Sequence, residues 1–183
     1  MTAMLPKAND FTSMTIICPD IEQDSPLWDA FPDAEAIAER ALHVVGERLG
    51  DKFRHGTEVA ILLSDDAHIR AVNKEWRDLD KPTNVLSFAA VAPEKIISSP
   101  FLGDIILSYE TIKSEAERDH KALEDHFTHL VIHGFLHLLG YDHETDADAI
   151  KMESLETELL KDLNIPNPYE ELREDVNLSL IHI

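Results

Sequence analysis

The chain of 183 residues carries 36 Asp and Glu against 16 Lys and Arg, a formal net charge of −20 at pH 7. That balance excludes general binding of polyanions by bulk charge, so a nucleic-acid substrate would need a local basic patch or a metal ion. A hydrophobic fraction of 44% excludes a disordered chain, the single Cys18 excludes an intramolecular disulfide, and no apolar run is long enough for a membrane span.

The first stretch, 1–13, is polar and without periodicity and reads as a flexible leader lacking the apolar run of a signal peptide. MTIICPDI (14–21) is β-branched and apolar, a first strand, and QDSPLWDAFPD (23–33), with two prolines, a loop. DAEAIAERALHVVGERLG has an apolar stripe at Ile37, Ala41, Val44 and Val45 and a stop at Gly50, predicting a helix. EVAILLS (58–64) reads as a buried strand. Asp65 or Asp66 caps the following helix, DAHIRAVNKEWR, with Ile69, Val72 and Trp76 on one face. DLDKPT is a turn, NVLSFAAV (84–91) a strand, APEKIISSPF a loop and LGDIILSY (102–109) a further strand. Three helices follow: ETIKSEAERDH, LEDHFTHLVIHGFLHLLG with Asp125 as its cap, and TDADAIKMESLETELLKDL. The expected architecture is one α+β domain over 14–165, a four-stranded mixed sheet packed with helices, followed by an acidic tail over 166–183 in which LSLIHI could dock.

The chemistry concentrates in HGFLHLLGYDH (133–143), three histidines in an otherwise apolar segment. Residues four apart on a helix are offset by about 40° and about 6 Å, so His133 and His137 can reach one ion from consecutive turns. Gly140 allows a left-handed turn that brings His143 back beside them. Three histidines leave a fourth position open, the catalytic pattern for a metal, whereas structural sites close with four protein ligands. The alternative is three core histidines, each of which would need its own buried partner. His129 lies one turn above His133, too far from His137 to share an ion easily, and is placed as a supporting or substrate-facing group.

The spacing echoes HExxHxxGxxH of the metzincin proteases, with one departure: Gly134 stands where their general-base glutamate belongs. A protease reading then needs another carboxylate, such as Asp104 or Glu144. HGFLHLLGYDH more closely resembles the signature of the YbeY family of metal-dependent endoribonucleases. NKEWRDLDKPTNVLSF (73–88) is similar to that family's arginine followed by PT-[D/N]-VLSF, and LGDIILS (102–108) to its LGDI strand. Asn84 stands where many members have Asp.

The resemblance implies that His133, His137 and His143 bind one divalent ion, generally zinc, and that Arg77 is the functional arginine of the cleft. It further implies hydrolysis of single-stranded RNA in 16S ribosomal RNA 3′-end maturation and ribosome quality control. The implied partners are the small ribosomal subunit and assembly factors, in the cytoplasm. The chemistry is coherent, because a divalent centre can polarise a phosphoryl oxygen and a guanidinium is suited to phosphate. Lys74 and Lys81 flank Arg77, and His129 is a candidate proton carrier. Two other readings compete: a non-catalytic ribosome-assembly factor with a structural metal, and a metzincin-like metallohydrolase.

Overall fold

The computed structural model describes residues 16–170, so the expected leader and the segment LSLIHI lie outside the described residues. Four strands, β1 (Ile17–Gln23), β2 (Thr57–Ser64), β3 (Val85–Ala89) and β4 (Phe101–Ser108), form one sheet in the order β1-β2-β4-β3. The β1–β2 and β2–β4 pairs are parallel and β3–β4 is antiparallel, a mixed sheet as expected. Five helices accompany it: α1 (Ala34–Leu49), α2 (Asp66–Arg77), α3 (Tyr109–Arg118), α4 (Leu123–Leu138) and α5 (Asp146–Asp162).

The period of two in the strands divides the molecule into two sides. Val59, Ile61 and Leu63 of β2 and Ile105 and Leu107 of β4 join Ala41, Leu42 and Val45 of α1 and Val131, Ile132 and Phe135 of α4 in the main core. Alternate residues face the other way, where Leu86 and Ile106 meet Ile69 of α2 in a much smaller cluster. α5 crosses beside α1 and α4, tied by Arg48 to Asp162 (2.9 Å) and Glu158 (3.1 Å).

Several expected details shift. The first strand runs to Gln23 rather than ending at residue 21, in parallel register with β2 as far as Leu63. The segment read as a loop contains a 3-10 turn, Pro26–Ala30, whose Trp28 is buried against Tyr109 and Phe127 and donates from Nε1 to the Ser64 carbonyl at 2.7 Å. Another 3-10 turn, Pro93–Ser98, lies in the loop before β4 and buries Ile96. Asp65 is the cap of α2, accepting from the His68 amide at 3.0 Å, while Asp66 accepts from the hydroxyls of Ser108 and Thr111.

α4 begins earlier than expected, with Ala122 at its N-cap, so Asp125 does not cap it. Asp125 sits in the first turn, where its charge still complements the helix dipole. Trp76 does not use its side of α2 for burial and is 68% exposed, its ring near Phe88.

Candidate metal centre

α4 carries four histidines in successive turns, and its packing fixes where they point. Gly134 lies against the sheet: a Cβ there would come within 3.0 Å of Ile105 Cγ2 and of Ser87 Oγ. Ser87 seals the approach by donating to the Gly134 carbonyl at 2.8 Å. The face bearing Gly134 is therefore pressed on β3 and β4, and His133 and His137 emerge at its margin. The helix ends in a left-handed glycine turn. Gly140, at φ 93°, donates to the His137 carbonyl (3.1 Å) and Tyr141 to the Leu136 carbonyl (3.2 Å). The reversal delivers His143 beside the last turn.

The three rings converge. Ring centroids lie 4.6 Å apart for His133 and His137, 5.2 Å for His137 and His143, and 5.7 Å for His133 and His143. One ligand nitrogen from each lies within 4.8 Å of the others. The surroundings say which nitrogens are available. His133 Nδ1 is 2.6 Å from Glu156 Oε1, and His137 Nδ1 is 2.9 Å from the Tyr141 carbonyl oxygen. Both partners are acceptors, so each Nδ1 carries the proton and each Nε2 presents a lone pair. Those two bare Nε2 atoms face each other at 3.0 Å. Two lone pairs aimed at one point suit a cation, and the separation is close to that of adjacent ligands around a tetrahedral ion. The donor set fits a divalent metal with one position free.

The charges agree. Burial, reinforced by His133, holds the His137 imidazolium pKa down at about 4, so the ring is neutral and available as a ligand at neutral pH. Burial opposes ionisation of Glu156, yet hydrogen bonds from His129 and His133 outweigh it and hold its carboxyl at about 2. Glu156, on α5, is fully buried and accepts from His129 Nε2 at 2.6 Å as well as from His133 and the Tyr169 hydroxyl. His129, His133 and Glu156 also form a ligand-like grouping. Their contacts are hydrogen-bond lengths around an enclosed carboxylate, so they read as support for the first cluster.

Arg77 comes from the end of α2 to the same place. It lines one open cleft of about 550 Å³ with His133, His137, His143, Asn84, Asp142 and Glu144. Its guanidinium lies over the Phe88 ring (5.9 Å) and its Nη2 is 3.4 Å from the Ser87 carbonyl, beside the strand that abuts Gly134. Lys74 and Lys81 do not line the cleft, so among the described residues that do, Arg77 is the one lysine or arginine.

The structure thus brings together Arg77, His133, His137 and His143 and does not bring His129 to the cleft. His129 lines a smaller recess behind α4, with its Nε2 held by Glu156. Asn84 does border the cleft, its amide donating to both oxygens of Glu115 at 3.0 and 3.1 Å. Burial would raise the Glu115 carboxyl, but hydrogen bonds from His126 and Asn84 outweigh it and lower it. Of the carboxylates considered for a protease, Asp104 lies in the groove on the opposite side of the sheet, and only Glu144 reaches the cleft. A side chain at position 134 would press on Ile105, Ser87 and Val85 of the sheet, which disfavours the metzincin glutamate there.

Sequence reasoning did not find Glu156. Its signal was nonetheless present: with Met152, Leu159 and Leu160 it occupies the buried stripe of α5, where an acid requires a reason.

Known proteins similar to this chain fall in one family. The profile of the family described as Endoribonuclease YbeY matches residues 23–164. A relative of that name from Bradyrhizobium diazoefficiens is 49% identical over 146 residues, 78% of this chain and 79% of the relative. Another, from Azorhizobium caulinodans, is 49% identical over 150 residues, 81% of this chain and 92% of its own. The solution structure of a Thermotoga maritima protein matches with a TM-score of 0.50 at 21% identity, covering 86% of this chain and 93% of its own, a likeness of fold alone. With the family profile spanning most of its length and near half of its residues shared with these relatives, the chain belongs to the YbeY endoribonuclease family.

Proposed function

We propose that this chain is a metal-dependent endoribonuclease that cuts single-stranded RNA, acting in 16S ribosomal RNA 3′-end maturation and ribosome quality control. The observation that carries the reading is the meeting of three imidazoles and one guanidinium in a single cleft. Zinc is the proposed ion, and the proposed partners are the small ribosomal subunit and its assembly factors in the cytoplasm.

His133, His137 and His143 would hold the ion, which when bound supplies a Lewis acid for a phosphoryl oxygen and activates water. The chain's own contribution is positional and electrostatic. The Glu156 carboxylate and the Tyr141 carbonyl keep Nε2 of His133 and His137 bare and aimed inward. Arg77 offers a permanently charged, planar fork to a phosphodiester in the same cleft. In a protein of net charge −20, that local cation is what admits a polyanion. His129, proposed as a proton carrier from its position on α4, reaches the cleft only through Glu156 and His133, and we assign it to holding that carboxylate.

The test is a substrate panel of single-stranded RNA, duplex RNA and casein, with the ends of any RNA product identified. Cleavage of the single strand alone is expected. A 5′-phosphate with a free 3′-hydroxyl identifies activated water as nucleophile, and a 2′,3′-cyclic phosphate identifies the RNA 2′-hydroxyl. Cleavage of casein, or of no substrate at all, contradicts the reading.

A further inference from the structure

The most heavily satisfied buried charge in the described residues lies behind the cleft. Glu156 is fully buried on α5, and its two oxygens accept three hydrogen bonds, from His133 Nδ1, His129 Nε2 and the hydroxyl of Tyr169. Burying a carboxylate among Met152, Leu159 and Leu160 is strongly unfavourable unless every lone pair aimed inward is used. A leucine at this position would join α5 to α4 with less cost, so the acid calls for a role that a leucine cannot fill.

We propose that Glu156 is the positioning residue of the metal centre and that Tyr169 locks it, making the segment after α5 part of the metal site. The proposal rests on the reading of His133, His137 and His143 as ligands. Glu156 acts through His133: by accepting the hydrogen bond from its Nδ1–H it fixes that tautomer, leaves Nε2 bare toward His137, orients the ring and makes the imidazole a better donor. His129 cannot replace it, because its Nε2 points to the same carboxylate from the next turn of α4 and serves to hold that carboxylate still.

Tyr169 completes the arrangement from outside. Burial, together with the charge of Glu156, pushes its phenol far up, so it stays a donor. The turn that presents it is held at several points. Asn167 Oδ1 accepts from the Tyr169 amide at 2.9 Å, and Lys121 Nζ donates to the Pro168 carbonyl at 3.2 Å. Pro166 and Pro168 restrict the backbone on either side of Asn167. Such a turn is a fixed support for one hydroxyl.

The experiment measures Zn2+ affinity of the full chain by competition with a chromophoric chelator, for wild type, Glu156→Gln, Tyr169→Phe, Glu158→Gln and His137→Ala. Ring 15N NMR of the metal-free proteins reads the His133 tautomer. His133 and His129 use different oxygens of Glu156, and glutamine replaces one of them with an NH2 donor, so it cannot accept from both histidines where they stand. Glu156→Gln is expected to weaken Zn2+ binding by about 10–100-fold and to convert a single Nδ1–H tautomer of His133 into a mixture. Tyr169→Phe is expected to weaken binding about fivefold, the equivalent of one hydrogen bond. Glu158→Gln, which loses only an exposed pair with Arg48, leaves affinity unchanged.

A folded Glu156→Gln protein with wild-type affinity and an unmixed His133 tautomer overturns the proposal and makes Glu156 a clamp between helices. Should Glu156→Gln not fold, Tyr169→Phe decides: weakened binding supports the proposal and unchanged binding overturns it. Wild-type protein that binds no Zn2+, or His137→Ala protein that binds it as tightly, removes the ligand reading and the proposal with it.

Discussion

The two sides of the sheet are built to different tolerances. On one, α4 lies so close to β3 and β4 that a Cβ at 134 would come within 3.0 Å of Ile105 and Ser87, and Nδ1 of His133 and of His137 each has an acceptor. On the other, α2 contributes Ile69 to a cluster with only Leu86 and Ile106. There Asp20, Glu22, Ala60, Leu62 and Asp104 line an open groove, and Trp76 is mostly in solvent. The contrast teaches where a metal centre can be made. Ligand nitrogens must converge to within fractions of an ångström, and the side where the helix backbone sits directly on the side chains of the sheet supplies that rigidity.

Gly134→Ala is the sharpest way to break the comparison. At an exposed helical position this change stabilises by up to about 1 kcal/mol. Here the added methyl meets Ile105, Ser87 and Val85, so the sign reverses, to a loss of about 1–3 kcal/mol. Thermal unfolding checks it, and an unchanged or raised Tm would show that α4 is less closely seated than the contacts require.

A second effect comes from Glu156. Its folded-state carboxyl is held at about 2, against an ordinary value of 4.5, so the stability it contributes is fully present above about 4.5. That contribution is lost as pH falls from 4.5 toward 2. In metal-free protein the Tm of the wild type should therefore fall more steeply over this interval than that of Glu156→Gln. Parallel curves would mean that the carboxylate has no stabilising partners.

Trp76→Ala should produce the smallest change. With the ring mostly exposed, stability should stay within about 0.5 kcal/mol of the wild type by denaturant titration. A loss beyond about 1 kcal/mol would mean that the groove side is closed more tightly than it appears from α2 alone.

Much of this was legible in the sequence, for reasons that can be traced. EVAILLS and LGDIILSY are central strands buried on the core side, and their apolar content is sufficient to find them. The burial of Trp28 was not legible, because it depends on Ser64, Tyr109 and Phe127, far away in the chain. The same distinction runs through the site. His133, His137, Gly140 and His143 belong to one helix end, where spacing alone dictates geometry. Arg77 came from the family resemblance, since no local spacing relates it to the histidines. Lys74 and Lys81 were grouped with it by proximity in sequence, yet the helix end directs only Arg77 to the cleft. His129 was correctly placed on α4, but its direction was set by Glu156 on another helix. Tyr169 fell in a stretch read as tail, because a hydroxyl presented by a proline-flanked turn leaves no periodic trace.

In the proposed function one cleft unites a metal held by three histidines with an arginine that serves the phosphate. The most direct measurement is cleavage of a labelled single-stranded RNA by wild type, His137→Ala and Arg77→Ala, with bound metal quantified in each. His137→Ala should lose metal and activity together. Arg77→Ala should keep its metal and lose activity by about 100–1000-fold. Cleavage by Arg77→Ala at the wild-type rate, or metal and activity retained without His137, would contradict it.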